Sequence, residues 1–112
     1  MAKLNSTAIE LARKIKGRKV KVAVIGLGYV GLPMACELAR NGFSVIGIDT
    51  DASRVTAILK GQSFVNDLSS RMLKRILKTK RFLATSFFPT LDVCDVIIIC
   101  VPTPLNKTQD PD

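Results

Sequence analysis

The 112-residue chain has no histidine, no tryptophan and only three cysteines. Without histidine, and without C-x-x-C spacing, it lacks the usual ligand sets for zinc. The cysteines Cys36, Cys94 and Cys100 are odd in number, which argues against a disulfide framework. The longest apolar run, residues 96–101, is far shorter than the roughly 20 residues that span a bilayer. We therefore expect a soluble, cytoplasmic protein with no metal centre and no membrane partner.

Aromatic residues are scarce as well, at 5%, while 17 basic residues outnumber nine acidic ones. The resulting charge of +8 suggests a polyanionic partner, but most of it lies in two stretches, residues 3–21 and 71–81. Neither stretch contains aromatic side chains that would stack on nucleic-acid bases. We interpret both as solvated faces of amphipathic helices, with a phosphate-bearing small molecule as an alternative partner, and expect no nucleic-acid partner.

Hydrophobic periodicity divides the chain into alternating helices and strands. A leading amphipathic helix is predicted within residues 1–18, and residues 19–112 are predicted to form one domain. Strands are predicted at residues 20–25, 43–48, 82–85 and 96–101. A first helix is predicted over residues 29–40. A second is predicted to begin after a cap at Asp51, with Val55, Ile58 and Leu59 facing inward. A third is predicted to begin near Ser69, with Leu73 and Ile76 in its apolar stripe.

This alternation predicts an α/β fold with a Rossmann-like parallel sheet, strand order 3-2-1-4 and helices on both faces. Strand four, an unbroken β-branched run, is predicted to be buried on both faces. Such a fold would be truncated before strands five and six, which leaves strand four as an apolar edge. We therefore expect self-association that covers this strand or its neighbouring faces; the alternative is a monomer whose tail from Thr103 folds back over the edge.

Residues 26–31, Gly-Leu-Gly-Tyr-Val-Gly, match G-x-G-x-x-G between a predicted strand and a predicted helix. Gly26 would permit the tight turn, Gly28 the close approach of a pyrophosphate, and Gly31 the packing of helix on strand. Phosphates would then lie at the positive end of the helix dipole. The alternative is a turn whose glycines serve the backbone alone.

Three further features follow the strands at their carboxyl ends. Asp49 ends strand two, 18 residues after Gly31, where this fold places a carboxylate that accepts from adenosine ribose hydroxyls and repels a 2′-phosphate. The alternative role for Asp49 is helix capping, for which Asp51 is better placed. Arg54 either reaches the adenosine side or a phosphate of the ligand, or is solvated. Residues 101–104, Val101, Pro102, Thr103 and Pro104, line the crevice or form a rigid exit from the sheet.

Three strings carry a family resemblance: KVAVIGLGYVGLP at residues 21–33, VIGIDTD at residues 45–51 and VIIICVPTPLNK at residues 96–107. They resemble the UDP-glucose/GDP-mannose dehydrogenase family. Within it the chain looks most like the UDP-N-acetylglucosamine 6-dehydrogenases of surface-polysaccharide pathways. Residues 63–67, Ser-Phe-Val-Asn-Asp, stand where UDP-glucose dehydrogenases usually read S-P-I-x-E-P, which favours the N-acetylhexosamine branch.

The resemblance implies oxidation of a UDP-sugar at C6 to the uronic acid with two NAD, through a cysteine thiohemiacetal and thioester. It further implies that the NAD contacts are Gly26, Leu27, Gly28, Tyr29, Val30, Gly31, Asp49, Arg54 and residues 101–104. The family's catalytic cysteine lies in a later G-G-x-C-x-P motif that these 112 residues do not contain. We therefore expect no catalytic residue here, an inactive fragment on its own, and a UDP-sugar partner only in a longer enzyme.

The cysteines of this chain are better explained as packed small hydrophobes than as nucleophiles, because no activating base is apparent. A second interpretation of the whole chain is a regulatory module that senses NAD or NADH without catalysing a reaction. The VPTPLNK string favours the dehydrogenase, and a downstream G-G-x-C-x-P motif would distinguish the two.

Overall fold

A computed structural model describes Arg13 and residues 15–17, 19–66 and 68–100. Within these residues, four parallel strands form one sheet in the order β3-β2-β1-β4. The strands are β1 (Lys21–Ile25), β2 (Ser44–Ile48), β3 (Phe82–Thr85) and β4 (Val96–Ile99). The predicted Rossmann-like α/β class and strand order are therefore confirmed.

Three α-helices connect the strands: α1 (Gly31–Arg40), α2 (Ala52–Leu59) and α3 (Ser70–Lys78), and a 3-10 helix spans Phe88–Val93. Asp51 caps α2 by accepting from the N–H groups of Ser53 and Arg54, as predicted. Ser69 caps α3 through the N–H of Met72. These side-chain acceptors satisfy N–H groups that a helix leaves unpaired at its start.

One hydrophobic core joins the helices to one face of the sheet. In a parallel sheet, residues in register point to the same side, so Val22, Val45, Phe82 and Val96 share a row. This row packs against buried residues of all three helices: Leu32, Ala35, Cys36, Ala39, Val55, Ile58, Leu73 and Ile76. The glycine-rich turn at residues 26–31 lies at the end of this core where the strands have their carboxyl ends.

The opposite face of the sheet is less covered by the described residues. Its row at Ala23 continues through Ile46 to Leu83 on one side and Ile97 on the other. Ile97 is 49% exposed and Ile99 66%, while Ile98 packs against the core. The prediction that β4 is buried on both faces is therefore wrong for the described part of the chain, because β4 is an edge with one apolar face open. Among the residues that the structure describes, all three α-helices pack on one face of the sheet, so the predicted helices on both faces are seen there on one face only.

Smaller differences concern element ends and one side chain. Helix α1 begins at Gly31 instead of residue 29, and β4 ends at Ile99. Leu59, predicted to face inward, is exposed, because it follows Ile58 by one residue and therefore lies about 100° around the helix from it. Of the predicted leading helix, only Arg13, Ile15 and Lys16 are described as helical; the rest lies outside the described residues.

Candidate functional site

A tight turn at residues 26–31 joins the end of β1 to the start of α1. Gly26 has φ 95°, in the left-handed region that favours glycine. A Cβ on Gly31 would overlap the carbonyl oxygen of Gly26, so Gly31 permits the helix to begin directly against the strand. Gly28 differs: no described atom lies within 4 Å of where its Cβ would stand. Two of the three glycines are thus required by the fold, and the third faces open space.

The same turn is tied to Asp49, the residue that follows β2 by one position. The Asp49 carboxylate is 7% exposed; its Oδ2 accepts the N–H of Leu27 at 2.8 Å, and its Oδ1 accepts the N–H of Asp51 at 2.9 Å. Burial alone would raise the pKa of Asp49. The N–H groups of Asp51 and Leu27, and then Arg54, outweigh it and hold the pKa below its ordinary value. Asp49 is therefore a fixed anion at neutral pH.

Arg54, in the first turn of α2, lies between Asp49 and an aromatic pair. Its Nη1 is 3.2 Å from Oδ2 of Asp49, and its Cζ is 5.4 Å from the ring centroid of Phe64. The Phe64 ring meets Tyr29 edge to face, with centroids 6.1 Å apart. A cation, a carboxylate and two rings therefore meet at one side of the glycine-rich turn.

These groups border a cleft of about 620 Å³ at the carboxyl ends of the strands, where the strand order reverses between β1 and β4. Main-chain hydrogen bonds hold the strand ends together, including Gly26 N–H to Ile48 O at 2.7 Å and Cys100 N–H to Ile25 O at 2.7 Å. Open α/β sheets bind ligands at this position. The lining is Ile25, Gly26, Gly28, Tyr29, Val30, Asp49, Thr50, Asp51, Arg54, Phe88 and Cys100.

Six of the residues predicted from the sequence line the cleft: Gly26, Gly28, Tyr29, Val30, Asp49 and Arg54. Leu27 and Gly31 are not in the lining. Leu27 is a fully buried core residue whose N–H is bound by Asp49, and Gly31 packs helix on strand. Residues 101–104 lie outside the described part of the chain.

Residues 20–112 match the model of the UDP-glucose/GDP-mannose dehydrogenase family, NAD-binding domain. The chain belongs to this family. The match confirms the resemblance predicted from the sequence, and it makes NAD the cofactor of this domain.

Named relatives are similar over the same region. The chain is 43% identical over 90 residues to a UDP-N-acetyl-D-mannosamine dehydrogenase of Methanococcus aeolicus, covering 80% of this chain and 20% of the relative. It is 37% identical over 95 residues to a UDP-N-acetyl-D-glucosamine 6-dehydrogenase of Salmonella typhi, covering 84% of this chain and 21% of the relative. The solved structure of a GDP-mannose dehydrogenase of Pseudomonas aeruginosa superposes with a TM-score of 0.73 at 34% identity, over 81% of this chain and 21% of that one. The chain thus spans about a fifth of the length of these dehydrogenases.

The cleft fits the dinucleotide of this family at two positions. Gly28 has no close neighbour among the described residues and no left-handed φ, so the fold itself does not require glycine there. A Cβ at this position would instead occupy space beside the N-terminus of α1, where N–H groups and the helix dipole favour phosphate. Asp49 accepts three N–H donors, and a carboxylate has about four acceptor positions, so Oδ1 retains room for one ribose hydroxyl.

The cysteines offer little as nucleophiles. All three are free thiols, and burial raises the pKa of Cys36 to about 12. Burial also raises the pKa of Cys94. A reactive cysteine needs its thiolate at neutral pH, and these shifts disfavour it. The described residues contain no cluster of three or more side chains suited to hold a metal ion.

No helix in residues 19–66 and 68–100, or in the described residues before them, is long and apolar enough to cross a membrane.

The predicted site residues do not include Phe64 or five residues of the lining: Ile25, Thr50, Asp51, Phe88 and Cys100. Phe88 comes from the 3-10 helix after β3 and lines the cleft, and Thr50 lines it beside Asp49. Phe64 contacts Arg54 from the loop between α2 and α3. The rule that loops at the carboxyl ends of parallel strands converge could have indicated Phe88 and Thr50. No local signal points to Phe64.

Proposed function

We propose that NAD binds in the cleft with its pyrophosphate over residues 26–31 and its adenosine ribose at Asp49. Gly28 and Asp49 make the direct contacts, Tyr29 and Val30 border them, and Gly26, Leu27 and Gly31 shape the turn. Arg54 lies at the adenosine end. Residues 101–104, outside the described part of the chain, are assigned to the cofactor from the sequence and the family resemblance alone. The domain assignment, residues 19–112 after a leading helix at residues 1–18, belongs to the same proposal.

Open space at Gly28 is the single observation that carries this location. A glycine with neither a special backbone conformation nor a close neighbour has no role inside the described fold, so a ligand explains its identity best. Its position at the start of α1, where no side chain from the described residues caps the helix, is suited to a phosphate.

The test is a calorimetric titration of the 112-residue chain with NAD and, separately, with NADP at equal ionic strength. NAD should bind more tightly, because the buried carboxylate of Asp49 repels a 2′-phosphate. Asp49→Asn keeps one acceptor oxygen for the Leu27 N–H but removes the charge. It should therefore weaken NAD binding and reduce the difference in affinity between NAD and NADP. Tighter NADP binding by the unaltered chain, or no change in Asp49→Asn, would falsify the assignment.

For the whole protein, we propose a nucleotide-sugar 6-dehydrogenase of surface-polysaccharide biosynthesis that oxidises a UDP-N-acetylhexosamine at C6 with two NAD. The support is the names of the relatives, which act on UDP-N-acetyl-D-mannosamine or UDP-N-acetyl-D-glucosamine. Loop residues 63–66 are consistent with this branch. When bound, NAD would accept the hydride, and the described residues would bind and orient it. We assign the catalytic cysteine to a part of the protein that follows these 112 residues. A cytoplasmic location is part of the same proposal.

The test for the whole protein is the coding sequence downstream of Asp112 and the activity of its product. A G-G-x-C-x-P motif there, with NADH formed from NAD and UDP-N-acetylglucosamine or UDP-N-acetylmannosamine, supports the dehydrogenase. A reading frame without that motif, whose product binds NAD without forming NADH, would instead support a regulatory module that senses NAD.

A further inference from the structure

Phe64 is an exposed aromatic residue in a loop whose conformation is well fixed. The residue before it, Ser63, donates its N–H to Ser70 Oγ at 2.9 Å, and its hydroxyl contacts the carbonyl of Leu68. The residue after it, Val65, donates its N–H to the Ser63 hydroxyl at 3.2 Å, and the side chains of Val65 and Leu68 are buried. The loop therefore holds the Phe64 ring in place although the ring itself is 36% exposed.

The fixed ring shares one guanidinium with Asp49. Arg54 has its Cζ 5.4 Å from the centroid of Phe64 and its Nη1 3.2 Å from Oδ2 of Asp49. The rings of Tyr29 and Phe64 are perpendicular, and Tyr29 belongs to the glycine-rich turn. A guanidinium within about 6 Å of a ring centroid is attracted by the ring's negative face. Phe64 and Asp49 thus act together to keep Arg54 in one orientation.

Asp49 and Arg54 have opposite preferences for the two forms of the cofactor. A carboxylate at the end of the second strand accepts the ribose hydroxyls of NAD, whereas an arginine nearby is the residue type that accommodates the 2′-phosphate of NADP. This chain has both, five residues apart. Selectivity then depends on whether the guanidinium stays on Asp49 or is free to meet a phosphate.

We propose that Phe64, with Tyr29 behind it, is a cofactor-specificity residue that holds Arg54 in its pair with Asp49 and so withholds the guanidinium from a 2′-phosphate. Phe64 is absent from the lining of the cleft, so it acts through Arg54 as a positioning residue. The inference rests on the proposed function, in which the adenosine ribose lies at Asp49. A cation–π contact at a partly exposed site has a strength that corresponds to about a two- to fivefold change in an equilibrium constant.

The experiment measures the ratio of the dissociation constants of NADP and NAD, by calorimetry on the 112-residue chain at one ionic strength. Phe64→Leu removes the ring and should lower this ratio about two- to fivefold. Phe64→Tyr keeps the ring and should leave the ratio unchanged. Phe87→Leu is the matched control, because Phe87 is exposed and lies outside the cleft lining, and it should also leave the ratio unchanged.

A double-mutant cycle separates positioning from packing. Arg54→Gln has no guanidinium for Phe64 to position. The double variant Arg54→Gln/Phe64→Leu should therefore have the same ratio of NADP to NAD dissociation constants as Arg54→Gln alone. A second readout needs no cofactor: freeing Arg54 should raise the pKa of Asp49 in Phe64→Leu, measured by carboxyl NMR titration.

The possible failures are distinguishable. If the unaltered chain prefers NAD and Phe64→Leu keeps the ratio, or changes it equally in the Arg54→Gln background, the inference is overturned while the proposed function stands. If the unaltered chain shows no preference for NAD, the ribose does not lie at Asp49, and both are overturned.

Discussion

Substitution of Gly28 by alanine separates a glycine that serves the cofactor from one that serves the fold. The added Cβ meets no described atom within 4 Å, and the backbone there is outside the left-handed region. Gly28→Ala should therefore raise the free energy of unfolding by about 0.4–1 kcal/mol, because alanine restricts the unfolded chain. Gly31→Ala should do the opposite and lower it by roughly 3 kcal/mol, since its Cβ overlaps the Gly26 carbonyl oxygen.

The assay is urea unfolding with and without NAD. At a concentration of 100 times the dissociation constant, NAD should stabilise the unaltered chain by about 2.7 kcal/mol. In Gly28→Ala this increment should fall close to zero, because the methyl group occupies the space proposed for the pyrophosphate. Ser44→Ala, at the exposed start of β2 and outside the cleft lining, is the control and should keep the full increment. A Gly28→Ala chain that retains it, or that unfolds as easily as Gly31→Ala, refutes the reasoning.

Acid stability, helix capping, self-association and turnover provide further tests. The free energy of unfolding should be constant above about pH 4 and should decrease at lower pH, as Asp49, whose pKa is depressed in the folded state, becomes protonated. In urea unfolding at several pH values, Asp49→Asn should reduce this decrease, and an unchanged dependence on pH would contradict the prediction. Asp51→Ala should cost about 1 kcal/mol in thermal unfolding followed by circular dichroism, because the first turn of α2 loses its acceptor. Sedimentation should show self-association that Ile99→Lys abolishes; the exposed Ile99 suits this test better than Ile98, which packs against the core, and a parent that stays monomeric would count against it. UDP-N-acetylglucosamine with NAD should yield no NADH absorbance on this chain, and sustained production would mean that the nucleophile lies within it.

The sheet order and the glycine-rich turn could be predicted because their signals are local. The change from period two to period 3.6 around residues 26–31 marks a strand, a turn and a helix within one short stretch. Alternation of strands and helices then limits the sheet to few topologies. Even the separate roles of Gly26 and Gly31 follow from the motif, since each concerns atoms only a few residues away.

What could not be predicted depends on contacts between distant segments. The burial of β4 was overestimated because composition does not tell whether a second layer covers the strand. The pairing of Arg54 with Phe64 joins a helix to a loop ten residues later, and no periodicity reports it. Leu27 was expected among the cofactor contacts, but its N–H donates to the carboxylate of Asp49, 22 residues away.

The double role that we propose for Asp49, in the turn and in cofactor binding, would explain how a small turn can select its ligand. Because Asp49 accepts from Leu27 and Asp51, the carboxylate is fixed and desolvated before any ligand arrives, and little conformational entropy remains to be lost. Its remaining acceptor position suits a hydroxyl, which donates, and opposes a phosphate, which only accepts and carries like charge. With the adenosine ribose at Asp49, as we propose, the donors that build the turn would therefore also favour NAD over NADP. An Asp49 substitution should alter fold and selectivity together. Substitutions at Gly28 should change NAD binding, and those at Phe64 the preference between NAD and NADP, while the turn stays intact.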